Sequence, residues 1–186
     1  VGAERWIRDR AYGPKGVGAL YVRSRSPRVK LEQTVWGGDQ EKGLRSGTRA
    51  VPLIVGLGAA LEIAGSEGAK ESGRLTAMCA DFAALVSSSL PGVSCNGHPV
   101  ERIPGNVSLS IAGVEPLALM HRLNAVASFS ASSSCATDKV KTSDVLLAMF
   151  GDTPRARQAF RVSPGRSTSA AELAGFAADL IAAAQE

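Results

Sequence analysis

The sequence predicts an α/β fold, and three observations carry that prediction. Hydrophobic residues make up 45% of the 186 residues and charged residues 20%, a composition typical of a soluble globular chain with a buried core. Short β-branched or alternating runs, such as residues 17–23 and 106–112, are typical of strands. Apolar residues at three- and four-residue spacings, clearest in residues 68–90 and near the C-terminus, indicate helices.

The N-terminal third is predicted to contain one strand and one loop before its first helix. Residues 17–23 read as the strand, and residues 36–48, which hold four glycines among polar side chains, read as the loop. Residues 1–35 fit a compact layer poorly, because their strand has no evident neighbour. This segment therefore resembles the edge of another domain and is expected to pack less well than the rest.

Two helices are predicted to follow this loop. Thr48 as a cap, the early Pro52 and a run of Leu, Ile, Val and Ala indicate a helix over residues 50–64 that Gly65 ends. Apolar residues at helical spacing predict a second helix over residues 68–90, before a Pro-Gly pair.

From about residue 90 the predicted order is strand, helix, strand, helix, strand, helix, which favours one compact α/β layer. The strands are expected at residues 106–112, 125–129 and 159–163, and the helices at residues 115–123, 143–150 and 169–184. Ser143 is predicted to cap the middle helix.

Composition and charge argue against several classes of function. The net charge of +4 is spread along the chain without a basic block, so nucleic-acid binding is not expected. His98 and His121 are too scattered to suggest a metal site. The glycines of residues 13–20 lead into a strand, unlike a dinucleotide-binding turn. No leader-like stretch opens the sequence and no apolar run approaches bilayer length, so neither secretion nor membrane insertion is expected.

The three cysteines are expected to be free thiols in a reducing compartment, with the cytoplasm as the default location. Cys79 falls in a predicted helix beside apolar residues and reads as a core residue, and Cys95 reads as a strand-end thiol. Cys135 lies among serines, with Lys139 and Lys141 able to favour a thiolate. From this pattern alone, Cys135 is either a reactive thiol or an inert surface cysteine.

Five segments of the sequence occur in a characteristic order and spacing: "YGPKGVGALYVR", "GGDQEKGLRSGT", "NVSLSIAGVEPLALM", "SSSCATDKVKTSDVLLAMFG" and "FRVSPGRST". Together they resemble the pyridoxal-phosphate-dependent cysteine desulfurases of the class V aminotransferase family. The resemblance covers residues 12 to about 182 and only the later half of a typical member. It implies the small C-terminal domain of the class V aminotransferase fold, a fold type I pyridoxal phosphate enzyme, plus the edge of a truncated large domain.

This resemblance also implies a division of the chain into three parts. Residues 1–48 would be a remnant of the large cofactor domain with its dimer loop, residues 49–90 connecting helices, and residues 91–186 the small α/β domain with the cysteine loop. The likeness begins abruptly at Tyr12, an edge typical of a truncation, a gene fragment or a reading-frame break.

The resemblance also implies residue roles. Cys135 corresponds to the nucleophile that takes sulfur from the cysteine–cofactor adduct as a persulfide. Arg161 corresponds to the arginine that clamps the substrate carboxylate, with Arg166 as a weaker second candidate. Thr48, with Gly47, corresponds to the residue that reaches the cofactor phosphate of the other subunit. The partners implied are a second copy or a chain supplying the large domain, and sulfur acceptor or scaffold proteins such as those of iron–sulfur cluster assembly.

One departure from the family pattern concerns the lysine that forms the aldimine. The positions of the family His-Lys pair hold Asp9 and Arg10, and a guanidinium cannot supply the neutral amine that an aldimine requires. Lys15 corresponds to a different family lysine. Covalent binding of pyridoxal phosphate is therefore not expected. Two interpretations follow: part of a cysteine desulfurase that is inactive alone, or a non-catalytic interaction or sulfur-relay module.

Overall fold

The computed structural model describes residues 3–6 by their backbone and residues 11–131 and 142–186 in full. These residues form two compact units, an N-terminal unit of Val1–Ala69 and a C-terminal unit of Lys70–Glu186. Asp9, Arg10, Cys135, Lys139 and Lys141 lie outside the described residues, so the predictions made for them remain sequence-based.

The N-terminal unit contains a two-stranded antiparallel sheet. Strand β1 (Ala3–Trp6) pairs with strand β2 (Ala19–Val22), with Ala3 opposite Val22. The strand predicted at residues 17–23 is therefore confirmed, but the expectation that it lacks a neighbour is wrong. No strand was predicted for residues 3–6, whose sequence "AERW" has neither alternation nor β-branching.

The glycine-rich segment of the N-terminal unit is a loop, as predicted, with a short 3-10 helix at Gln40–Gly43. Ser46, which is 3% exposed, holds it together. Its hydroxyl donates to the carbonyl of Gly38 (2.6 Å) and accepts from the Gln33 side-chain amide (2.9 Å). Because both partners come from the same loop region, one buried hydroxyl fixes its path.

A single helix, α1 (Val51–Ser89), replaces the two helices predicted around Gly65. The prediction that Gly65 ends the first helix is wrong. A glycine inside a helix costs only about 1 kcal/mol relative to alanine, and no proline lies between Pro52 and Pro91 to break the hydrogen-bond ladder. The helix begins at Val51, so Thr48 precedes it by three positions and is not its cap.

Helix α1 is also long and apolar enough, by length and composition, to cross a membrane, with an 18-residue window of mean hydropathy 1.3. No segment of this kind was predicted, because charged residues interrupt the apolar run after Leu61. A single helix of this kind is weak evidence for a membrane span, because helices of soluble proteins meet the same criteria.

The C-terminal unit contains a three-stranded antiparallel sheet in the order β3 (Val93–Asn96), β4 (Val107–Ile111), β5 (Ala159–Val162). Strands β4 and β5 match predicted strands. Strand β3 agrees with the prediction of Cys95 as a strand-end thiol, although its bounds were not predicted, because its four residues include one β-branched side chain. Residues 125–129, predicted as a strand, are a turn and loop: only the next residue, Ser130, forms an isolated bridge, to Arg161.

Four helices complete the C-terminal unit. Helices α2 (Pro116–Leu123), α3 (Asp144–Phe150) and α5 (Ala170–Ala184) are close to their predicted spans, and α4 (Pro154–Arg157) was not predicted. A capping box between Ser169 and Glu172 starts α5. Ser143 occupies the N-cap position of α3, as predicted, but its side chain makes no capping hydrogen bond.

The core of the C-terminal unit lies on one face of the sheet. Alternation in β4 buries Val107, Leu109 and Ile111 on this face and directs Ser108 and Ser110 to the other. Many buried apolar side chains of α1, α2 and α5 belong to the same cluster, among them Met78, Phe82, Val86, Leu119, Leu123, Leu173, Phe176, Ala177 and Leu180. The opposite, serine-bearing face is therefore available for a polar site.

Candidate functional site

A row of polar side chains crosses the serine-bearing face of the sheet. Asn96 of β3 is paired in register with Ser108 of β4, and Ser108 is paired with Arg161 of β5. Residues paired in register project to the same face, so these three side chains are neighbours. Ser130 extends the row, because its backbone N–H and carbonyl both bond to Arg161 (3.1 and 2.7 Å).

This row forms one side of a cavity of about 400 Å³. The remaining walls come from the loop after β3, including Arg102 and Ile103, and from α3, which contributes Val145, Leu146 and Met149. The cavity thus combines guanidinium and hydroxyl groups on the sheet side with an apolar surface on α3, and the loop wall adds the Glu101 carboxylate and the Arg102 guanidinium. Such a combination suits a small ligand that has a charged end and an apolar or sulfur-bearing end.

Arg161 is the cation best placed to bind an anionic group in this cavity. Its side chain is half-buried and lines the cavity. In the described part of the chain, no hydrogen bond or ion pair engages its guanidinium. A planar guanidinium can bind a carboxylate through two parallel hydrogen bonds. Arg161 therefore lies where its guanidinium could bind a carboxylate in this cavity.

Residues on both described sides of the Cys135 segment line the same cavity. Ser130 and Ala131 before it, and Ser143 after it, are lining residues. Phe129 anchors the entry, because its ring packs against Phe160 (centroids 5.7 Å apart) and Phe176 (5.5 Å). This anchor was not predicted, because the apolar run at residues 125–129 is typical of a strand as well as of a loop packed on the core.

The helical wall of the cavity is tied to the sheet by Arg155 of α4. Its Nε donates to Asn96 Oδ1 (2.9 Å) and one terminal nitrogen donates to the Cys95 carbonyl (3.0 Å). Asn96, 2% exposed, in turn donates to Ser110 Oγ (2.8 Å), and Ser110 Oγ donates to the Arg155 carbonyl (2.8 Å). No motif in the sequence indicated this network, because its members are far apart along the chain.

Arg166, the second candidate for substrate binding, does not line the cavity of Arg161. It belongs to the loop after β5, which Arg74 of α1 holds in place. The Arg74 guanidinium donates to the carbonyls of Gly165 (3.1 Å), Arg166 (3.2 Å) and Thr168 (2.7 Å). The structure thus separates the two arginine candidates, and Arg161 is the one at the cavity.

Thr48 and Gly47 belong to the N-terminal unit. Thr48 is exposed, and the Gly47 N–H donates to the Gln40 side-chain carbonyl (3.1 Å). Gly47 has φ +106°, a conformation that favours glycine, and this turn presents the Thr48 hydroxyl at the surface. A phosphate could therefore reach the Thr48 hydroxyl, whereas the Gly47 amide is already used.

Two of the three cysteines lie among the described residues, and both match the sequence analysis. Cys79 is buried in α1, and Cys95 is exposed in β3 with an Arg102 nitrogen 2.9 Å from its sulfur. Burial raises the pKa of the Cys79 thiol above its usual range, although the Gly105 backbone N–H and the charge of Arg102 partly oppose this. Cys79 is therefore held as a neutral thiol, which is a poor nucleophile.

The described residues do not fit a covalently bound pyridoxal phosphate. Lys15 is exposed. Three cavities are lined by Arg161, Phe129 and Cys79 respectively, and no lysine among the described residues lines any of them. Within residues 11–131 and 142–186, no three His, Cys, Asp or Glu side chains come together as a metal site.

The family model for the class-V aminotransferases matches residues 9–176 of the chain. The chain therefore belongs to the class-V aminotransferase family, which confirms both the predicted resemblance and the predicted fold class. Among solved structures, a NifS-like protein superposes with a TM-score of 0.83 at 27% identity, covering 98% of this chain and 46% of its own.

The curated relatives are cysteine desulfurases. The enzyme of Homo sapiens is 42% identical over 162 residues, which is 87% of this chain and 35% of the human protein. Cysteine desulfurase IscS of Anaeromyxobacter sp. (strain Fw109-5) is 43% identical over 162 residues and is covered to 40%. The chain thus spans about two fifths of the length of the curated relatives it matches.

Proposed function

We propose that this chain is part of a cysteine desulfurase, in which Cys135 carries sulfur as a persulfide and Arg161 holds the carboxylate of the amino acid. One observation carries the proposal: Arg161 lines a cavity bordered by both flanks of the Cys135 segment. The identity to cysteine desulfurases over 87% of the chain supports it.

The cavity chemistry suits a small α-amino acid. The Arg161 guanidinium would bind the carboxylate, and the Ser108 hydroxyl beside it offers a further hydrogen bond. Val145, Leu146 and Met149 would face the side chain of the amino acid. An apolar and sulfur-bearing wall tolerates a thiol better than a charged group, because the charge would lose its hydration without a partner.

Sulfur transfer to Cys135 needs no oxidant. The Cys135 thiolate attacks the outer sulfur of a donor persulfide, a new S–S bond forms, the donor S–S bond breaks, and the donor thiolate leaves. The lysines at positions 139 and 141 would favour the thiolate that this attack requires. The product is a persulfide on Cys135, ready for transfer to an acceptor thiol in the same manner.

Pyridoxal phosphate is the cofactor that the family implies for the full-length enzyme. Because Arg10 stands at the aldimine position and Lys15 is exposed, we infer that this chain does not hold the cofactor covalently. Thr48 remains the candidate contact to a cofactor phosphate, and Gly47 would shape its turn. The lysine would have to be supplied elsewhere in the assembled enzyme.

The partners proposed are a second copy of this chain or such a large-domain partner, together with sulfur acceptor or scaffold proteins such as those of iron–sulfur cluster assembly. The three cysteines, which lack paired spacing, support a reducing, cytoplasmic compartment. Neither nucleic acid nor a membrane is part of the proposal.

A second candidate is a sulfur-relay or interaction module that never performs the desulfurase reaction. The exposed position of Lys15 and the arginine at position 10 favour it. Both candidates use Cys135, but only the desulfurase part requires amino-acid binding at Arg161.

The test is sulfur transfer from a complete cysteine desulfurase incubated with L-cysteine, read by mass spectrometry of the intact chain and its peptides. The wild-type chain should gain one sulfur atom on Cys135, and Cys135→Ser should gain none. Cys95→Ser is the matched control and should accept sulfur normally. Transfer that persists in Cys135→Ser would refute the proposal. Sulfur transfer by a wild-type chain that binds no L-cysteine, or binds it equally well in Arg161→Met, would favour the relay module.

A further inference from the structure

Arg155 joins the helical wall of the cavity to its sheet without lining the cavity itself. It is the second residue of α4, which begins four residues after α3 ends. Its guanidinium carbon lies 4.1 Å from the centroid of the Phe150 ring, at the end of α3. The same guanidinium reaches β3, where it bonds to Asn96 Oδ1 and the Cys95 carbonyl. One side chain of α4 therefore contacts both α3 and the sheet.

The sheet end of this contact leads directly to Arg161. Asn96 uses both ends of its side-chain amide: the oxygen accepts from Arg155, and the nitrogen donates to Ser110 Oγ (2.8 Å) and Ser108 Oγ (3.3 Å). Ser108 is the register partner of Arg161. Arg155 thus holds Asn96, at one end of the row of polar side chains that includes Ser108 and Arg161.

The helix end of the contact sets the opposite wall. Val145, Leu146 and Met149 of α3 line the cavity across from Ser108 and Arg161. The distance between these walls depends on how α3 and α4 sit on the sheet. Because Arg155 supplies two directional hydrogen bonds and one ring contact, it restrains that placement more tightly than apolar packing alone would.

We propose that Arg155 is a positioning residue that sets the width of the Arg161 cavity and thereby its affinity for an amino-acid carboxylate. The inference rests on the proposed function, because it takes Arg161 as the carboxylate-binding group. Removing the guanidinium leaves Asn96 Oδ1, on a side chain 2% exposed, without its donor. Either water must enter or the helical wall must shift to satisfy that oxygen.

The test compares Arg155→Met with Arg157→Met in the full chain. Arg157 lies in the same helix, and its guanidinium pairs with exposed Asp152 (2.7 Å), so it is a matched control for charge and helix position. L-alanine, an unreactive α-amino acid, is titrated against the isotope-labelled chain while the amide signals of Ser108 and Arg161 are followed by NMR. Residual dipolar couplings then report the orientation of α3 relative to β3–β5 without ligand.

We expect Arg155→Met to weaken L-alanine binding roughly tenfold, the effect typical of residues coupled in one hydrogen-bond network, while Arg157→Met changes it less than about twofold. The residual dipolar couplings should show that α3 has changed its orientation relative to the sheet in Arg155→Met and in neither Arg157→Met nor the wild type. Equal affinities in the two variants, with unchanged couplings, would overturn the inference.

Failure of the proposed function gives a different result. If the wild-type chain binds no L-alanine, the carboxylate role of Arg161 is refuted. The dipolar couplings still decide whether Arg155 places α3: a reoriented α3 in Arg155→Met retains the positioning role, and an unchanged α3 removes it.

Discussion

The two units of the chain differ in how far their apolar side chains are buried. In the C-terminal unit, β3–β5 and the helices around them enclose one contiguous apolar cluster. Among residues 11–69 of the N-terminal unit, Leu57 is the large apolar side chain that is buried, at 5% exposed, whereas Trp36 is 80% exposed and Val55 65%. Stability should therefore depend mainly on the C-terminal unit, the unit that also holds the Arg161 cavity.

Truncating one leucine in each unit gives the largest expected difference in stability between the two units. Leu109 of β4 is 0% exposed and Leu20 of β2 is 54% exposed. Leu109→Ala should lower the free energy of unfolding by about 2–5 kcal/mol, because it removes packed methyl groups and leaves a cavity. Leu20→Ala should change it by less than about 0.5 kcal/mol. Urea denaturation measures both, and equal losses would contradict the proposed difference.

A smaller effect should separate two arginines. Arg74 of the C-terminal unit donates to three backbone carbonyls and pairs with Glu71 (2.7 Å), whereas Arg49 of the N-terminal unit pairs with Glu41 at a surface where both side chains are 55% exposed. Arg74→Met should cost about 1–3 kcal/mol, because partly buried carbonyls lose charged donors. Arg49→Met should cost about 0–1 kcal/mol. Thermal unfolding of both variants tests the order.

The Arg74 variant should also change the pH dependence of stability. The hydrogen bond from Arg74 holds the pKa of the Glu71 carboxyl below its usual value. A carboxyl whose pKa is lowered by folding stabilises the fold above its unfolded pKa of about 4.3, and this contribution is lost as pH falls through the folded pKa. The stability difference between wild type and Arg74→Met should therefore shrink below about pH 4. A difference that grows on acidification would show that the ion pair has another role.

Two serines that precede helices give the smallest contrast. Ser169 forms a capping box with Glu172, whose pKa is lowered mainly by the Ser169 backbone N–H and also by its hydroxyl. Ser143 precedes α3 without a capping hydrogen bond. Ser169→Ala should cost about 1 kcal/mol, and Ser143→Ala should be close to neutral. Melting temperatures measured in parallel check this, and a larger loss in Ser143→Ala would contradict the structure.

Much of the C-terminal unit could be predicted from sequence, because its helices and β4 have strong apolar periodicity. Leu173, Phe176 and Leu180 mark one face of α5 as clearly in the sequence as in the structure. The prediction that Gly65 ends a helix was wrong, because one glycine is a weak helix breaker when no proline follows. The strand predicted at residues 125–129 was wrong for another reason: Phe129 is partly buried because it packs a loop against the core, and a loop residue packed in this way looks the same in the sequence as a buried strand residue.

Residues of the candidate site could be predicted only where they belong to a motif shared with the family. Arg161 and Cys135 came from the resemblance to the desulfurases, and the structure places Arg161 in a cavity. The network of Asn96, Ser110 and Arg155 was not predictable, because its hydrogen bonds join residues 14 to 59 positions apart. Such contacts depend on sheet register, which a single sequence does not reveal.

The central claim is that Arg161 and Cys135 serve one site in the C-terminal unit. Its most direct test is the rate of alkylation of each cysteine by iodoacetamide, read by peptide mass spectrometry with and without L-alanine. Arg161→Met is compared with Arg166→Met, since Arg166 does not line the cavity.

Cys135 should react ahead of exposed Cys95 and well ahead of Cys79, whose raised pKa keeps its thiol protonated. L-alanine should slow the alkylation of Cys135 in wild type and in Arg166→Met but not in Arg161→Met. Faster alkylation of Cys79 or Cys95, or protection that survives Arg161→Met, would contradict the claim that these two residues share a site.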